Sequence, residues 1–254
     1  MIRYSMHAFL ILAVIVLLQA CAHTGPSPVT QDGQAVDGQA DDEAAFPDGD
    51  ETITVYDPLE PFNRAMFYFN DKLYFYALKP AAQGYSYVVP EPARVGVRRF
   101  FSNITTPVRF VNALLQFKVH AAGTELARFL INSWVGVAGL MDPARDRWQI
   151  YKQDEDLGQT LGVFGAGPGI YITWPFLGPS NIRDTVGFAG DLFLDPVNYL
   201  DLTYLEITGI HAYDRVNETS LDIGIYEEIK RTSLDPYTFV RNAYEQHRRS
   251  KIGE

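Results

Sequence analysis

Residues 57–80, DPLEPFNRAMFYFNDKLYFYALKP, constrain the fold more than any other segment of the chain. Apolar side chains recur there at helical spacing, which predicts a helix that ends near residue 78. Asp57 and Glu60 are predicted to cap its start. Pro80 is predicted to end it, because proline disfavours helical geometry in the residue before it. The apolar positions cover several faces, so this helix is either buried on several sides or partly exposed to lipid.

The remaining sequence also favours helices. Proline and glycine divide it into short and medium segments with helical periodicity. Further helices are predicted at about residues 91–102, 107–116, 118–134, 157–164, 181–194, 196–209, 212–232 and 236–249. Residues 85–90 and 170–177 are predicted to be extended, the latter without a strand partner, and the polar residues 142–156 to be exposed. The predicted fold class is therefore all-α.

The N-terminus has the pattern of an export signal. Arg3 precedes an unbroken apolar run of eleven residues, 8–18. This run is too short to span a bilayer, which needs about 20 residues. It is followed by Gln, Ala and then Cys21, the single cysteine of the chain. This resembles the lipobox of bacterial lipoproteins, which implies cleavage after Ala20 and acylation of Cys21. The alternative is an ordinary secretory signal with an incidental cysteine.

An acidic stretch rich in glycine and proline follows the signal. Residues 22–54 contain almost no large apolar residues and are predicted to form a flexible linker. Ten acidic and no basic residues lie between Arg3 and Arg64, whereas 20 basic and 21 acidic residues follow from Arg64 onward. The folded part is nearly neutral and lacks the basic surface of nucleic-acid-binding proteins. The predicted divisions are residues 1–20 (signal), 21–54 (acylated cysteine and linker), 55–250 (helical domain) and 251–254 (tail).

The sequence contains no recognisable catalytic or cofactor-binding set. Gly165-x-Gly167 lacks the third glycine and the following helix of a dinucleotide-binding loop, and no nucleophile elbow occurs. The histidines have no metal-ligand spacing. Asp-Pro pairs at positions 57, 142, 195 and 235 are interpreted as helix starts. The chain is predicted not to be an enzyme and to need no cofactor or metal.

The distribution of aromatic residues is unusual for a protein surrounded by water. Many Phe, Tyr and Trp lie in predicted helices that also carry polar residues, and aromatic side chains with polar tips favour membrane interfaces. No segment after Cys21 reaches the roughly 20 apolar residues of a membrane-spanning helix. Together with acylation, this pattern predicts a monotopic body seated in one lipid leaflet.

Several blocks of the sequence resemble the MlaA (VacJ) family of lipoproteins. They are DPLEPFNRAMFYFN at 57–70, RFLINS at 128–133, LGQTLG at 157–162 and SLDPY at 233–237, together with residues 139–143, 165–178 and 240–241. The resemblance runs in order from about residue 55 to residue 248. It implies an all-helical, ring-like monotopic domain with a central amphipathic channel, embedded in the inner leaflet of the Gram-negative outer membrane.

The resemblance also implies a function. Proteins of this family are expected to remove mislocalised phospholipids from the outer leaflet and pass them to a soluble periplasmic carrier protein, which maintains lipid asymmetry. The expected partners are phospholipid, a trimeric outer-membrane porin and that carrier, and the expected location is the periplasmic face of the outer membrane. An alternative is a structural or adaptor lipoprotein that docks on the porin without transfer activity. A lipid-modifying enzyme is disfavoured by the missing nucleophile.

Polar residues of the first helix are the candidates for contact with the passing lipid. They are expected to face the channel or the shell that supports it: Asn63, Arg64, Asn70 and Lys72, with Phe69 beside them. The turn that contains Gly165, Gly167 and Gly169 is expected to shape a gate together with Tyr171 and Trp174. Cap and loop chemistry is the alternative explanation for each of these residues.

Overall fold

The computed structural model describes residues 55–253. The predicted signal peptide, the predicted acylation site Cys21 and the predicted linker lie outside the described residues. The regular secondary structure of these residues is helical apart from one small antiparallel sheet of two strands, so the all-α prediction is confirmed. No helix of the described chain is long and apolar enough to cross a membrane.

Eleven α-helices and two strands follow one another in the described chain. The helices are α1 (Glu60–Leu73), α2 (Lys79–Val88), α3 (Glu91–Ile104), α4 (Thr106–Leu115), α5 (Val119–Trp134), α6 (Pro143–Trp148), α7 (Leu157–Val163), α8 (Ile182–Asp191), α9 (Tyr204–Leu221), α10 (Ile225–Thr232) and α11 (Pro236–Gly253). The strands are β1 (Tyr171–Trp174) and β2 (Gly178–Asn181). A π-helical turn (Tyr74–Leu78) joins α1 to α2, and a 3₁₀ turn (Pro196–Tyr199) precedes α9.

The prediction that Pro80 ends the first helix is wrong. The π-helical turn closes with the Lys79 N–H bonded to the Tyr74 carbonyl, and α2 continues without a break in direction to Val88. Pro80 lies in the first turn of α2, where a missing N–H is tolerated. Part of the segment predicted to be extended, residues 85–90, is therefore helical.

The predicted cap at the start of α1 is also wrong. Leu59 occupies the cap position, without a side-chain cap bond, and Glu60 pairs with Arg64 one turn later. Asp57 instead lies among side chains of α1 and α11, with its carboxylate almost fully buried.

The other three Asp-Pro pairs start helical turns as predicted, but Asp195 starts only the 3₁₀ turn Pro196–Tyr199. Asp142, Asp195 and Asp235 each accept a hydrogen bond from a backbone N–H two or three residues later. The predicted helices 196–209 and 212–232 are therefore wrong in their bounds, because Thr203 caps a helix that runs on from Tyr204 to Leu221.

Two further predictions fail for reasons of tertiary structure. The extended residues 170–177 do have a strand partner, because β1 pairs with β2 from Tyr171 opposite Asn181 to Trp174 opposite Gly178. Residues 142–156 are not uniformly exposed, since Asp142 and Glu155 are buried against helices α5 and α4. The first failed because the partner strand β2, with the sequence GPSN, has no strand propensity, and the second because a charged segment does not show where it packs.

The interior of the described chain is polar. Glycine and proline apart, 25 of its buried side chains are polar or charged and 13 are apolar, whereas many large apolar side chains lie on the surface. Helix α5 shows the arrangement on one element. Its buried face carries Glu125, Arg128 and Asn132, and its exposed face carries the apolar side chains Val119, Leu126, Leu130 and Trp134. This orientation is the reverse of the one that water favours.

Helices α7 and α8 cross so closely that their backbones touch. A Cβ atom at Gly187 would lie 2.2 Å from the Gly158 nitrogen and 2.6 Å from its Cα atom. A Cβ atom at Gly190 would similarly lie 2.2 Å from a side-chain carbon of Leu157. Glycine is therefore required at this crossing, because backbone atoms cannot move aside as a flexible side chain can.

We expect Gly187→Ala to destabilise the protein by about 3 kcal/mol or more, because the new methyl group overlaps the α7 backbone. The measurement is urea unfolding of the full chain in detergent. Gly209→Ala in α9 is the matched control, because no heavy atom lies within 4 Å of its added Cβ. It should be neutral or raise the free energy of unfolding by up to about 1 kcal/mol. Equal midpoints for the two variants would contradict the crossing.

Candidate functional site

Two asparagines of α1 hold the hairpin formed by β1 and β2. Asn63 donates from Nδ2 to the Tyr171 carbonyl (3.1 Å) and accepts at Oδ1 from the Thr173 N–H (2.8 Å). Two helical turns later, Asn70 donates to the Trp174 carbonyl (2.8 Å) and accepts from the Phe176 N–H (2.7 Å). Each amide thus binds the strand backbone at two points. We call this set the amide clamp.

The amide clamp completes the outer edge of β1. β2 pairs with one edge of β1, and on the other edge the Tyr171 N–H donates to the Tyr56 carbonyl while Asn63 binds the next backbone groups. An unpaired strand edge is costly away from water, so the two amides act where a third strand would otherwise be needed. Asn63 is 0% exposed and is itself held by Asp57, which accepts from its Nδ2 at 2.7 Å.

Asp57 links the amide clamp to the last helix. Besides the bond from Asn63, its carboxylate accepts hydrogen bonds from the Tyr237 hydroxyl and from Arg241, the latter at 3.0 Å. Tyr237 also packs edge-on against Phe67 of α1. Burial beside the Asp57 carboxylate raises the pKa of the Tyr237 hydroxyl, which keeps this donor protonated. The DPLEPFN and SLDPY blocks of the sequence therefore meet here.

Several of the residues predicted to form a site come together around the clamp. Phe69 and Phe176 stack edge to face with ring centroids 5.3 Å apart, and the Trp174 indole N–H donates to Thr185 of α8 at 2.9 Å. Tyr171 is buried in a cluster with Tyr237 and Tyr244. Asn63, Phe69, Asn70, Tyr171 and Trp174 therefore form one local structure, in which Asn63 and Tyr171 are support rather than accessible surface.

The other predicted residues lie apart from the amide clamp. Arg64 is exposed and pairs with Asp235 (2.7 Å) over the ring of Tyr237, and Lys72 lies over the rings of Tyr68 and Tyr76. The glycine loop between α7 and β1 is exposed. Two of its three glycines require the left-handed region, with φ of +90° at Gly165 and +73° at Gly169, whereas Gly167 does not.

A row of titratable side chains on α9 was missed by the sequence reasoning. His211, Asp214, Glu218 and Asp222 recur every three or four residues on one side of the helix and are half-buried. Arg215 pairs with Glu218 at 2.9 Å, and Arg98 of α3 lies 3.8 Å from Asp222. The spacing of these residues was visible in the sequence. Their inward position was not, because an exposed helix face has the same pattern.

Burial shifts the acid–base properties of this α9 row. Burial, followed by the nearby Glu218 carboxylate, raises the pKa of Asp214 to about 7, and Arg215 offsets only part of that change. Burial likewise raises the pKa of Glu218 and lowers that of His211. The row therefore carries less charge near neutral pH than its composition suggests.

An ionic network lies deeper, between α7, α8 and α11. Arg248 donates four hydrogen bonds, two to Asp156 and two to Asp184, at 2.6–2.9 Å. Asp184 also accepts from the Tyr244 hydroxyl at 2.7 Å. Burial alone would raise the pKa of Asp184. The charge of Arg248 and the bonds from Arg183, Arg248 and Tyr244 outweigh it, so the pKa is lowered and the carboxylate stays ionised.

The described residues form no metal-binding group of three His, Cys, Asp or Glu side chains. Taken together, they form a helical body with a polar interior, a half-buried charged row, a clamped hairpin and an apolar exterior. These features define a class of helical protein with reversed polarity, in which polar side chains are buried and many large apolar side chains are exposed.

Comparison with known proteins identifies the family. The family model described as MlaA lipoprotein matches residues 55–251. The Escherichia coli K12 protein named "Intermembrane phospholipid transport system lipoprotein MlaA" is 34% identical over 197 residues, which cover 75% of this chain and 76% of that protein. An uncharacterized Rickettsia felis protein is 31% identical over 201 residues, 79% of each chain. This chain belongs to the MlaA lipoprotein family.

A solved structure supports the same assignment. It is described as "Structural basis for maintenance of bacterial outer membrane lipid asymmetry". The matching chain is 32% identical, with a TM-score of 0.65, and the match covers 77% of this chain and 98% of that one. The resemblance inferred from the sequence blocks is thereby confirmed.

We expect Asn70→Ala to free the tip of the hairpin without unfolding the protein, because Asn70 is only half-buried and binds only the end of β1. Amide hydrogen exchange of the Phe176 N–H should become at least tenfold faster. Asn63→Ala should act more widely and cost about 2–4 kcal/mol of stability, because it leaves the Tyr171 carbonyl and the Thr173 N–H without their partner and removes one of the donors to Asp57.

Lys72→Ala, on the same helix but away from the hairpin, is the control for the clamp variants. Its exchange in residues 171–177 should match that of the unmodified protein. Unchanged exchange at Phe176 in Asn70→Ala would show that the amide does not hold the hairpin.

The raised pKa of Asp214 makes stability depend on pH. An unfolded Asp ionises near pH 4, so between about pH 4 and pH 7 the folded state holds a proton that the unfolded state has lost. The contribution of Asp214 to the free energy of unfolding is therefore fully present below pH 4 and is lost as the pH rises through about 7. Asp214→Asn should flatten this decline and raise the free energy of unfolding at pH 8 by on the order of 1–2 kcal/mol.

The measurement is urea unfolding in detergent between pH 5 and pH 8. Asp201→Asn, which removes the same charge from an exposed position, should leave the decline in place. If the free energies of unfolding of Asp214→Asn and of the unmodified protein decline in parallel, Asp214 is ionised throughout this pH range and burial does not raise its pKa.

Proposed function

We propose that this protein is a lipoprotein that takes mislocalised phospholipid out of the outer leaflet of the Gram-negative outer membrane and so maintains lipid asymmetry. The observation that carries the proposal is the reversed polarity of its helical body, polar inside and apolar outside, in a chain of the MlaA family. The relatives named for intermembrane phospholipid transport and the solved structure concerned with lipid asymmetry support the same substrate.

The apolar exterior suits a body seated in the inner leaflet. Exposed apolar side chains would be costly in water, whereas acyl chains accept them without penalty. Acylation of Cys21 would add the covalent anchor, and two or more acyl chains give stable attachment where a single chain is marginal. The protein would then lie on the periplasmic side of the outer membrane without crossing it.

The polar interior suits passage of a head group. A phospholipid changes leaflet only if its charged head group avoids about 30 Å of hydrocarbon. A channel through the body of the protein would offer such a path. The half-buried α9 row supplies carboxylates to it, and the guanidinium groups of Arg98 and Arg215 lie next to them. Lipid would move passively along it, so the protein would work as a conduit and not as an enzyme.

The clamped hairpin is the proposed movable part of that path. The glycine loop with Gly165, Gly167 and Gly169 leads directly into β1, and the tip of the hairpin at Trp174–Phe176 is held by Asn70 and by the stacking of Phe69 on Phe176. We assign Asn63, Asn70 and Tyr171 to the support of this hairpin. Arg64, which pairs with Asp235, and Lys72, which lies over the rings of Tyr68 and Tyr76, are proposed to contact the lipid or a partner.

Two protein partners complete the proposal. A trimeric porin would hold the body next to a pathway from the outer leaflet, and a soluble periplasmic carrier would receive the lipid. A ring-like arrangement of the helices around the channel would expose one mouth to each. These partners follow from the family resemblance and from the need to deliver a water-insoluble lipid across an aqueous space.

The decisive experiment is deletion of the gene in its own host. Outer-leaflet aminophospholipid, measured with a membrane-impermeant amine reagent on intact cells, should rise several-fold and return to normal when the intact protein is restored. Cys21→Ala should fail to restore it, because the protein would lose its anchor. Thr203→Ser, a conservative change in an exposed cap, should restore it fully.

Other results would point elsewhere. Normal leaflet asymmetry together with a lost porin complex would replace the proposal by the adaptor alternative. Release of fatty acid or lysophospholipid by the purified protein would replace it by a lipid-modifying enzyme.

A further inference from the structure

The segment that follows α5 is hydrogen-bonded to that helix on its inner side and carries exposed aromatic and basic side chains on its outer side. Residues 141–152, which we call the strap, run over the polar face of α5. Arg128 and Asn132 each donate to the Asp142 carboxylate at 2.8 Å, and the Ala144 N–H donates to Asn132 at 3.1 Å. Arg128 also donates to the Ile150 carbonyl. The backbone of the strap is therefore held at both ends, and its course does not depend on a ligand.

The outer side of the strap carries aromatic and basic residues. Met141, Trp148 and Tyr151 are 57%, 50% and 61% exposed. Between them lie Arg145 and Arg147, also exposed. The other charges of the strap are paired, Asp146 with Arg99 at 3.6 Å and Lys152 with Asp154 at 2.7 Å, whereas neither Arg145 nor Arg147 has a carboxylate partner among the described residues.

The strap continues the apolar surface of α5. The exposed stripe of that helix ends at Trp134, 85% exposed, and exposed Val137 and Leu140 connect it to Met141. Along the chain the exposed apolar side chains are followed by the two arginines and then by Trp148 and Tyr151, whose rings have polar tips. Guanidinium groups and polar-tipped aromatic rings next to an apolar surface are typical of the head-group region of a leaflet.

We propose that the strap binds the phosphate groups of anionic phospholipids at the surface of the leaflet. Arg145 and Arg147 contact the phosphates through charge-assisted hydrogen bonds, and Trp148 and Tyr151 lie at head-group depth. A guanidinium group matches phosphate oxygens in a bidentate geometry, and a basic residue near an anionic lipid surface contributes about 1 kcal/mol, which is about fivefold in local lipid preference. This proposal rests on the seating of the body in a leaflet that the proposed function requires.

The test uses the mature, acylated protein in vesicles. Quenching of Trp148 fluorescence is compared between phosphatidylglycerol and phosphatidylcholine that carry brominated acyl chains, present at the same mole fraction. The Trp148 signal is obtained by difference from Trp148→Phe. We expect phosphatidylglycerol to quench several-fold more strongly, and the preference to weaken at 0.5 M salt because salt screens exposed charges.

The double variant Arg145→Gln/Arg147→Gln should lose this preference while both lipids still quench. Arg145→Lys/Arg147→Lys, which keeps both charges, should retain most of it. The matched control is Arg231→Gln/Arg249→Gln, which removes two exposed arginines elsewhere and should leave the preference unchanged.

The outcomes separate the strap from the proposed function. If neither lipid quenches Trp148, the body is not seated in lipid and the proposed function fails with it. If both lipids quench equally in the unmodified protein, the seating stands and the strap proposal is overturned. Equal quenching combined with loss of porin co-purification in the double variant alone would assign the two arginines to a protein partner instead.

Discussion

The rest of this fold depends on the hydrogen-bonded ion pairs of Arg248 with Asp156 and Asp184. Arg248 joins α11, the last helix, to two carboxylates at the starts of α7 and α8. Asp156 caps α7, and Asp184 lies in the first turn of α8, which Asn181 caps. The positive ends of two helix dipoles, two carboxylates and one guanidinium therefore meet at one place. A buried ion pair is weak evidence for stability in a water-soluble protein. Here such buried ion pairs and hydrogen bonds join distant parts of the chain, because few apolar side chains are buried.

The same constraint explains the amide clamp and the polar face of α5. In the leaflet that the proposed function requires, backbone groups have no water to bind, so each strand edge and each irregular segment needs a partner from within the protein. Asn63 and Asn70 fill that need for β1, and Arg128 and Asn132 fill it for the strap. Buried polar side chains in this protein therefore supply the hydrogen-bond partners that water supplies in other proteins.

The sequence predicted local structure well where the chemistry was local. Three of the four Asp-Pro pairs start helical turns, and the predicted helices from residue 91 to residue 164 match the structure within a few residues. The prediction from Pro80 was wrong because a π-helical turn precedes this residue and the helix continues despite its missing N–H. Helix propensities do not predict such a turn. Asp57 misled because Tyr237 and Arg241, some 180 residues away, compete for the same carboxylate. β2, with the sequence GPSN, has no strand propensity and is a strand because it pairs with β1.

The candidate site was harder to predict than the fold. Asn63, Phe69, Asn70, Tyr171 and Trp174 were selected together and do meet, but their roles as donors and acceptors to one backbone depend on geometry. The α9 row could not be distinguished from an exposed helix face, because in a protein with reversed polarity a charged stripe faces inward.

The exposed stripe of α5 has a practical consequence for work with the isolated protein. In aqueous buffer Val119, Leu126, Leu130 and Trp134 have nothing to cover them except one another on a second molecule. Removal of apolar surface from water drives association without regard to biological pairing. The particle size of a purified sample will therefore depend on how completely the detergent or lipid disc covers this stripe. An assembly that dissociates when one amphiphile is exchanged for another is caused by incomplete coverage and is not a biological oligomer.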